Sequence, residues 1–218
     1  MVLKGRKRLS DAMRYIISVP ELCDVIFLVG PKRTPVYGLK AILSARSRMF
    51  NQMILSHQTR LKTHRGKKSR IRNILSNVWI SVRRRWSYRL DHDVTNITIP
   101  IVDFEPKIFE HLMTYVHTGT VHIEPSTVVG LLNAAQVFGF SQLYRDSMNF
   151  AVSCISGQRS MVVMLASAAH YYGFKSTRLL LKMVQSYISH YPDLLNTRSR
   201  HFRDLTVKVL SGRISDKE

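Results

Sequence analysis

An α+β fold is predicted by two features of this chain. Short β-branched strands stopped by glycine and proline lie near the N-terminus, and amphipathic helices follow them. Val25-Ile26-Phe27-Leu28-Val29 is apolar at every position and is halted by Gly30-Pro31, the pattern of a strand covered on both faces. Pro35 removes a backbone donor, so the stretch through Val36 and Tyr37 is expected to be an edge strand. From Leu39 to Ala45 the period changes to that of a helix, with Leu39, Ile42 and Leu43 on one face.

The other elements follow from the same rules. Leu9 to Val19 reads as a first helix with Leu9, Met13, Ile16 and Ile17 in one stripe, ended before Pro20. Met49, Phe50, Met53 and Ile54 make Ser47 to Leu55 amphipathic. Gln158 to Tyr172 repeats Met161, Leu165, Ala168 and Tyr172 at helical spacing before Gly173. Ser176 is placed to cap a last helix whose apolar face is Leu180, Met183, Val184, Tyr187, Ile188 and Tyr191, stopped by Pro192. Asp24 and Lys40 stand at the ends of otherwise apolar elements. If partly buried, they require each other, because an unpaired buried charge costs several kcal/mol, roughly.

The Cys23-Asp24-Val25 strand and the Lys40-Ala41-Ile42-Leu43-Ser44-Ala45-Arg46-Ser47 helix resemble the BTB/POZ family. The resemblance continues in order. Thr98-Ile99-Pro100 with Asp103-Phe104-Glu105-Pro106-Lys107-Ile108-Phe109 is similar to the family's third strand and next helix. Leu112-Met113-Thr114-Tyr115-Val116-His117-Thr118-Gly119 is similar to its signature, with His117 where a tyrosine is usual. Pro125 to Phe140 and Ser141 to Ile155 resemble its last two helices. This implies a BTB/POZ domain over residues 9–155, a helical cluster capped by a small mixed sheet, with a basic insertion at 56–95. Residues 156–210 resemble the start of the all-α BACK region, and 211–218 form a tail. Residues 9 to about 210 are most similar to BTB-BACK proteins described as serine-enriched, which share the Pro20-Glu21-Leu22-Cys23-Asp24-Val25 stretch and the Leu165-Ala166-Ser167-Ala168 segment. The chain departs from them by stopping within the BACK region without a serine-rich tail, as a shortened member would.

At 218 residues the chain is long enough for a well-formed core, and its net charge is +19. No acid occurs between Asp24 and Asp91, while His57 to Leu90 holds eleven Lys and Arg. Within that stretch Ile71, Ile74, Leu75, Val78, Trp79, Val82 and Trp86 share a face at helical spacing, beside or opposite Arg70, Arg72, Arg83 and Arg84. Such a helix is about 25 Å long. Three partners suit it: an anionic membrane surface, a calmodulin-like groove, or nucleic acid and the import machinery. The alternative is that its apolar face docks on the domain itself and the arginines are solvated.

Cys23 and Cys154 have no metal or redox spacing and sit in apolar contexts, which points to a reducing compartment, cytoplasmic or nuclear. No segment is long and apolar enough to span a bilayer. The histidines show no metal-binding spacing, and His117 and His122 are expected at the surface around a short strand. Neither a nucleophile elbow nor a phosphate loop is present, so no catalysis and no cofactor are expected.

The resemblance implies a homodimer whose interface uses Leu9, Met13, Ile16 and Ile17, with Asp24 and Lys40 beneath it, although the first-helix stripe is also suited to packing on its own domain. It also implies an adaptor that binds cullin-3 through Phe50, Met53, Tyr115 and His117 and presents a substrate protein to a ubiquitin ligase. Met53-Ile54-Leu55-Ser56-His57-Gln58 supplies the apolar plug of the cullin-binding motif but lacks its glutamate. The competing reading is a basic anchor that attaches the dimer to an acidic partner by avidity.

Overall fold

The computed structural model describes residues 6–64 and 97–191, together with Asp204 and Val207. The basic amphipathic stretch with Arg70, Arg72, Trp79, Arg83, Arg84 and Trp86 lies outside the described residues.

Helix α1 (Arg6–Ser18) leads through a 3-10 turn at Pro20–Leu22 into β1 (Val25–Val29), which turns back into β2 (Thr34–Gly38). Two consecutive helices follow, α2 (Lys40–Arg46) and α3 (Arg48–His64). Strand β3 (Ile97–Ile101) closes a three-stranded sheet of order β2-β1-β3, antiparallel on one side of β1 and parallel on the other. The expected mixed sheet is therefore present, with β1 central because β1 is the strand without proline. Pro35 and Pro100 both pair in register with Leu28, one on each edge strand, where a missing N–H costs no ladder bond and discourages further strand addition. Val25, Phe27 and Val29 are fully buried, whereas Ile26 and Leu28 keep partial exposure, so only one face of the sheet is completely covered.

The remaining helices are α4 (Pro106–Thr118), α5 (Val128–Phe138), α6 (Ser141–Ile155), α7 (Gln158–Ala168) and α8 (Lys175–His190). Both α4 and α5 end at a glycine in the left-handed region, Gly119 at φ 77° and Gly139 at φ 80°, whose N–H bonds back to the helix. Helix α5 is buried from Val128 to Ala135 and is the hub of the helical cluster. Its Gly130 lets α4 approach so closely that a Cβ there would lie 2.7 Å from Ile108 Cγ1. Phe50 occupies the centre of the core, stacked on Phe138 at 4.5 Å and flanked by Phe27 and Phe109. Ser47 caps α3 there: its Oγ accepts the Phe50 N–H at 3.2 Å and donates to the Phe138 carbonyl at 2.7 Å.

Helices α7 and α8 share this core instead of standing apart from it. Phe174 packs on Phe104 at 5.5 Å, and the buried Asn133 amide donates to Thr177 Oγ1 at 2.7 Å. Three expectations for this region change. Ser176 is not a cap but a buried residue in the first turn of α8, whose hydroxyl donates to Gln136 Oε1. Leu181 is buried in α8, while Met183 and Tyr191 point outward. A 3-10 turn at Ala169–Tyr171 follows α7, and three residues per turn bury Tyr171 after Ala168 while Tyr172 packs half-buried at the edge of the core.

Candidate interaction surface

Helix α1 packs against α4 and β2 but leaves much of its apolar surface uncovered. Leu9 is 61 % exposed and Tyr15 66 % exposed, while Met13, Ile16 and Ile17 are partly buried. Arg14 reaches past the end of α4 to donate to Thr120 Oγ1 at 3.5 Å. Apolar side chains on a helix face that the domain does not fill are suited to contact with another protein surface.

Beside this face lies the corner where β2 passes into α2. Asp24 and Lys40 do meet there, in a different way from the expected buried ion pair. The Asp24 carboxylate accepts the Lys40 backbone N–H at 2.6 Å, so the acid caps the start of α2, where the unsatisfied amides and the helix dipole favour a negative charge. Asp24 is exposed and Lys40 partly so, which removes the desolvation cost that would have required an ion pair.

His117 overturns its expected placement as a surface residue beside a strand. It lies in the last turn of α4, no strand is formed at 118–124, and the imidazole is 7 % exposed. Its Nδ1–H donates to the Met113 carbonyl at 2.8 Å, and its Nε2 accepts the Leu39 N–H at 3.0 Å. The Leu39 donor requires a bare Nε2, which sets the tautomer. Burial pushes the His117 imidazole below the usual histidine range; the Met113 bond opposes this and the Arg46 charge adds to it. Gly38 lets β2 lie close to α2 and the ring, since a Cβ there would stand 3.0 Å from Leu43 Cδ1 and in ordinary contact, 3.4 Å, with His117 Cε1.

Arg46, which the residue pattern did not mark as functional, joins the end of α2 to the end of α4. Its Nη1 donates to the Tyr115 carbonyl at 2.9 Å and to the Val116 carbonyl, and the guanidinium lies 5.4 Å from the Tyr115 ring centroid. The available signal was its position at the end of a short apolar helix, where a cation faces unsatisfied carbonyls.

The four residues assigned to a cullin-facing surface therefore divide. Met53 and Tyr115 are partly exposed, whereas Phe50 has no accessible surface and His117 very little. Phe50 is a core residue here, and it acts on any partner only by holding α3 in place. Elsewhere, a cleft of about 640 Å³ runs between the β1–β2 turn, the β3–α4 connection and the Ala169–Tyr171 turn. Lys32, Lys107, Asp103 and Glu105 line it, so it carries both signs of charge. Among the described residues no three His, Cys, Asp or Glu side chains converge as for a metal ion, and no helix is long and apolar enough to cross a membrane.

Comparison with known proteins gives this arrangement a family. The model of the BTB/POZ domain matches residues 18–78 and 87–155, more than half of the chain. Among curated proteins, the chain is similar to "Serine-enriched protein" of Drosophila melanogaster, with 33 % identity over 213 residues, covering 90 % of this chain. It spans only 16 % of that relative's length. Solved structures similar to it include the BTB domain of zebrafish PATZ1, at 14 % identity and a TM-score of 0.41, and the BTB domain of human Gigaxonin, at 12 % and 0.42. Each match covers 69 % of this chain and 96 % of the other. With its mixed sheet on a helical cluster and the family model matched across most of that fold, the chain belongs to the BTB/POZ domain family, whose domain is a protein–protein interaction module.

Proposed function

We propose that this chain works as a non-enzymatic homodimeric adaptor, with α1 as the principal contact between protomers. The observation that carries this reading is the partly uncovered apolar stripe of α1, in which Leu9 is more than half exposed in line with the half-buried Met13, Ile16 and Ile17. Asp24 and Lys40, at the adjoining corner, are placed to shape the edge of such an interface. By family resemblance the adaptor presents a substrate protein to a cullin-3 ligase in the cytoplasm or nucleus, with Met53 and Tyr115 on the cullin side. Residues 156–210 are read as the beginning of a BACK region, of which α7 and α8 share the domain core.

Sedimentation of the purified chain tests the dimer. Wild type is expected to sediment as a dimer at micromolar concentration, and the variant Leu9→Asp/Ile17→Asp as a folded monomer. A monomeric wild type would overturn the proposal. Binding of purified cullin-3, weakened by Met53→Glu, tests the adaptor role; no binding with or without residues 56–95 would remove it.

A second reading is favoured by the charge distribution, eleven Lys and Arg from His57 to Leu90 with no acid between Asp24 and Asp91. It makes the dimer a basic anchor for phosphate-rich partners. Phosphate-driven association weakens steeply with salt, so retention on vesicles or nucleic acid that is indifferent to ionic strength would exclude it.

A further inference from the structure

We propose that the β2–α2 corner is a proton-gated latch, closed while His117 is a neutral imidazole holding the Leu39 amide to α4, and released in mildly acidic solution. The geometry carries this independently of what the domain binds. Two successive amides at the start of α2 are held by side chains from elsewhere in the chain, Leu39 N–H by His117 Nε2 at 3.0 Å and Lys40 N–H by Asp24 at 2.6 Å. They are the joint between the sheet and the helices of the interaction surface.

A proton on Nε2 converts the acceptor into a donor that points at another donor, so the Leu39 bond cannot survive. The Nδ1 side offers no escape, because its proton is already committed to the Met113 carbonyl at 2.8 Å. Nor does the surrounding charge favour an imidazolium. Helix α2 brings Arg46 at its end and Lys40 at its start, α1 brings Arg14 near the end of α4, and β2 brings the uncharged Gly38. Asp24, the acid of this corner, is engaged with the Lys40 amide. At 7 % exposure the ring cannot be hydrated in place, so charging it requires the corner to open.

The sign follows from linkage. Burial holds the folded-state imidazole below its usual range, so the unfolded or opened form binds the proton more readily. The latch is at full strength above the ordinary histidine value and weakens progressively as pH falls through it, because the open form takes up the proton that the closed form excludes.

Amide hydrogen exchange of the full chain by NMR tests the latch. Between about pH 7 and about pH 5.5, exchange at Leu39, corrected for its intrinsic rate, is expected to accelerate by up to about tenfold per pH unit. His117→Gln, whose carbonyl accepts the same amide without titrating, is expected to abolish the acceleration. Equal acceleration in this variant, or none in wild type, overturns the proposal. If the variant does not fold, the wild-type imidazole resonance decides: His117 must titrate below the usual histidine range, and an ordinary titration without change at Leu39 refutes the latch.

Discussion

Replacement of Gly130 by alanine measures how tightly α4 and α5 are packed. By helix propensity alone it should help, since Ala is about 1 kcal/mol better than Gly in a helix interior. The structure predicts the opposite. The added Cβ would stand 2.7 Å from Ile108 Cγ1, 2.8 Å from Cδ1 and 3.0 Å from Cγ2. Ile108 is 2 % exposed and branched at Cβ, so it has neither space nor a free rotamer into which to retreat. Overpacking of this kind costs about 1–3 kcal/mol, which leaves Gly130→Ala destabilising by up to about 2 kcal/mol once the propensity gain is subtracted. Ile108→Ala alone removes a buried side chain and costs about 2–5 kcal/mol, but it also removes all three clashing atoms. In that background Gly130→Ala should become neutral or stabilising, giving a coupling of about 1–3 kcal/mol. Urea unfolding of the four proteins at equilibrium supplies the cycle. Additive effects, or a single Gly130→Ala variant stabilised by the full propensity gain of about 1 kcal/mol, would show that the helices are not held at this distance by the glycine.

Three further outcomes follow from the same contacts. Asp24→Ala should cost about 0.5–1 kcal/mol, low in the capping range because the carboxylate is exposed, whereas Lys40→Met should leave the urea midpoint nearly unchanged since only the backbone of residue 40 is held. Equal losses from both would restore the ion pair. Phe50→Ala should cost about 3–5 kcal/mol, most of a small domain's stability, and be seen as loss of cooperative thermal unfolding; a folded variant with a normal transition would contradict the central place of Phe50. Cys23 and Cys154 are buried and their thiols are raised above the usual range by burial first of all, with Asp24 adding to it at Cys23. Both should react with a thiol reagent at about pH 8 far more slowly in the native chain than in urea; an immediate reaction of either would place it at the surface.

Some of this protein was decided locally. The hydrophobic run of β1 with its stop at Gly30, and the proline-bearing edge strand β2, are legible in the residues. Each depends on backbone conformations set within a few positions, and the ordered series of motifs carried the family with them. Tertiary structure alone decided the rest. Asp24 and Lys40 could be read as a charged pair, but only the register of β1 against the start of α2 shows that the carboxylate reaches the amide rather than the ammonium. His117 could be read as exposed, because a histidine in the last turn of a helix is compatible with solvent or core; the turn that β2 makes into α2 places Leu39 over it. The buried faces of α7 and α8 were nearly correct from periodicity: Tyr172 packs at the edge of the core beside the fully enclosed Tyr171, and Leu181 takes the buried place expected of Met183. Helical phase follows from the sequence to within about one residue, but the neighbouring element chooses which side chain completes the contact. Burial depends on what packs there, and that information is distributed over residues far apart in the chain.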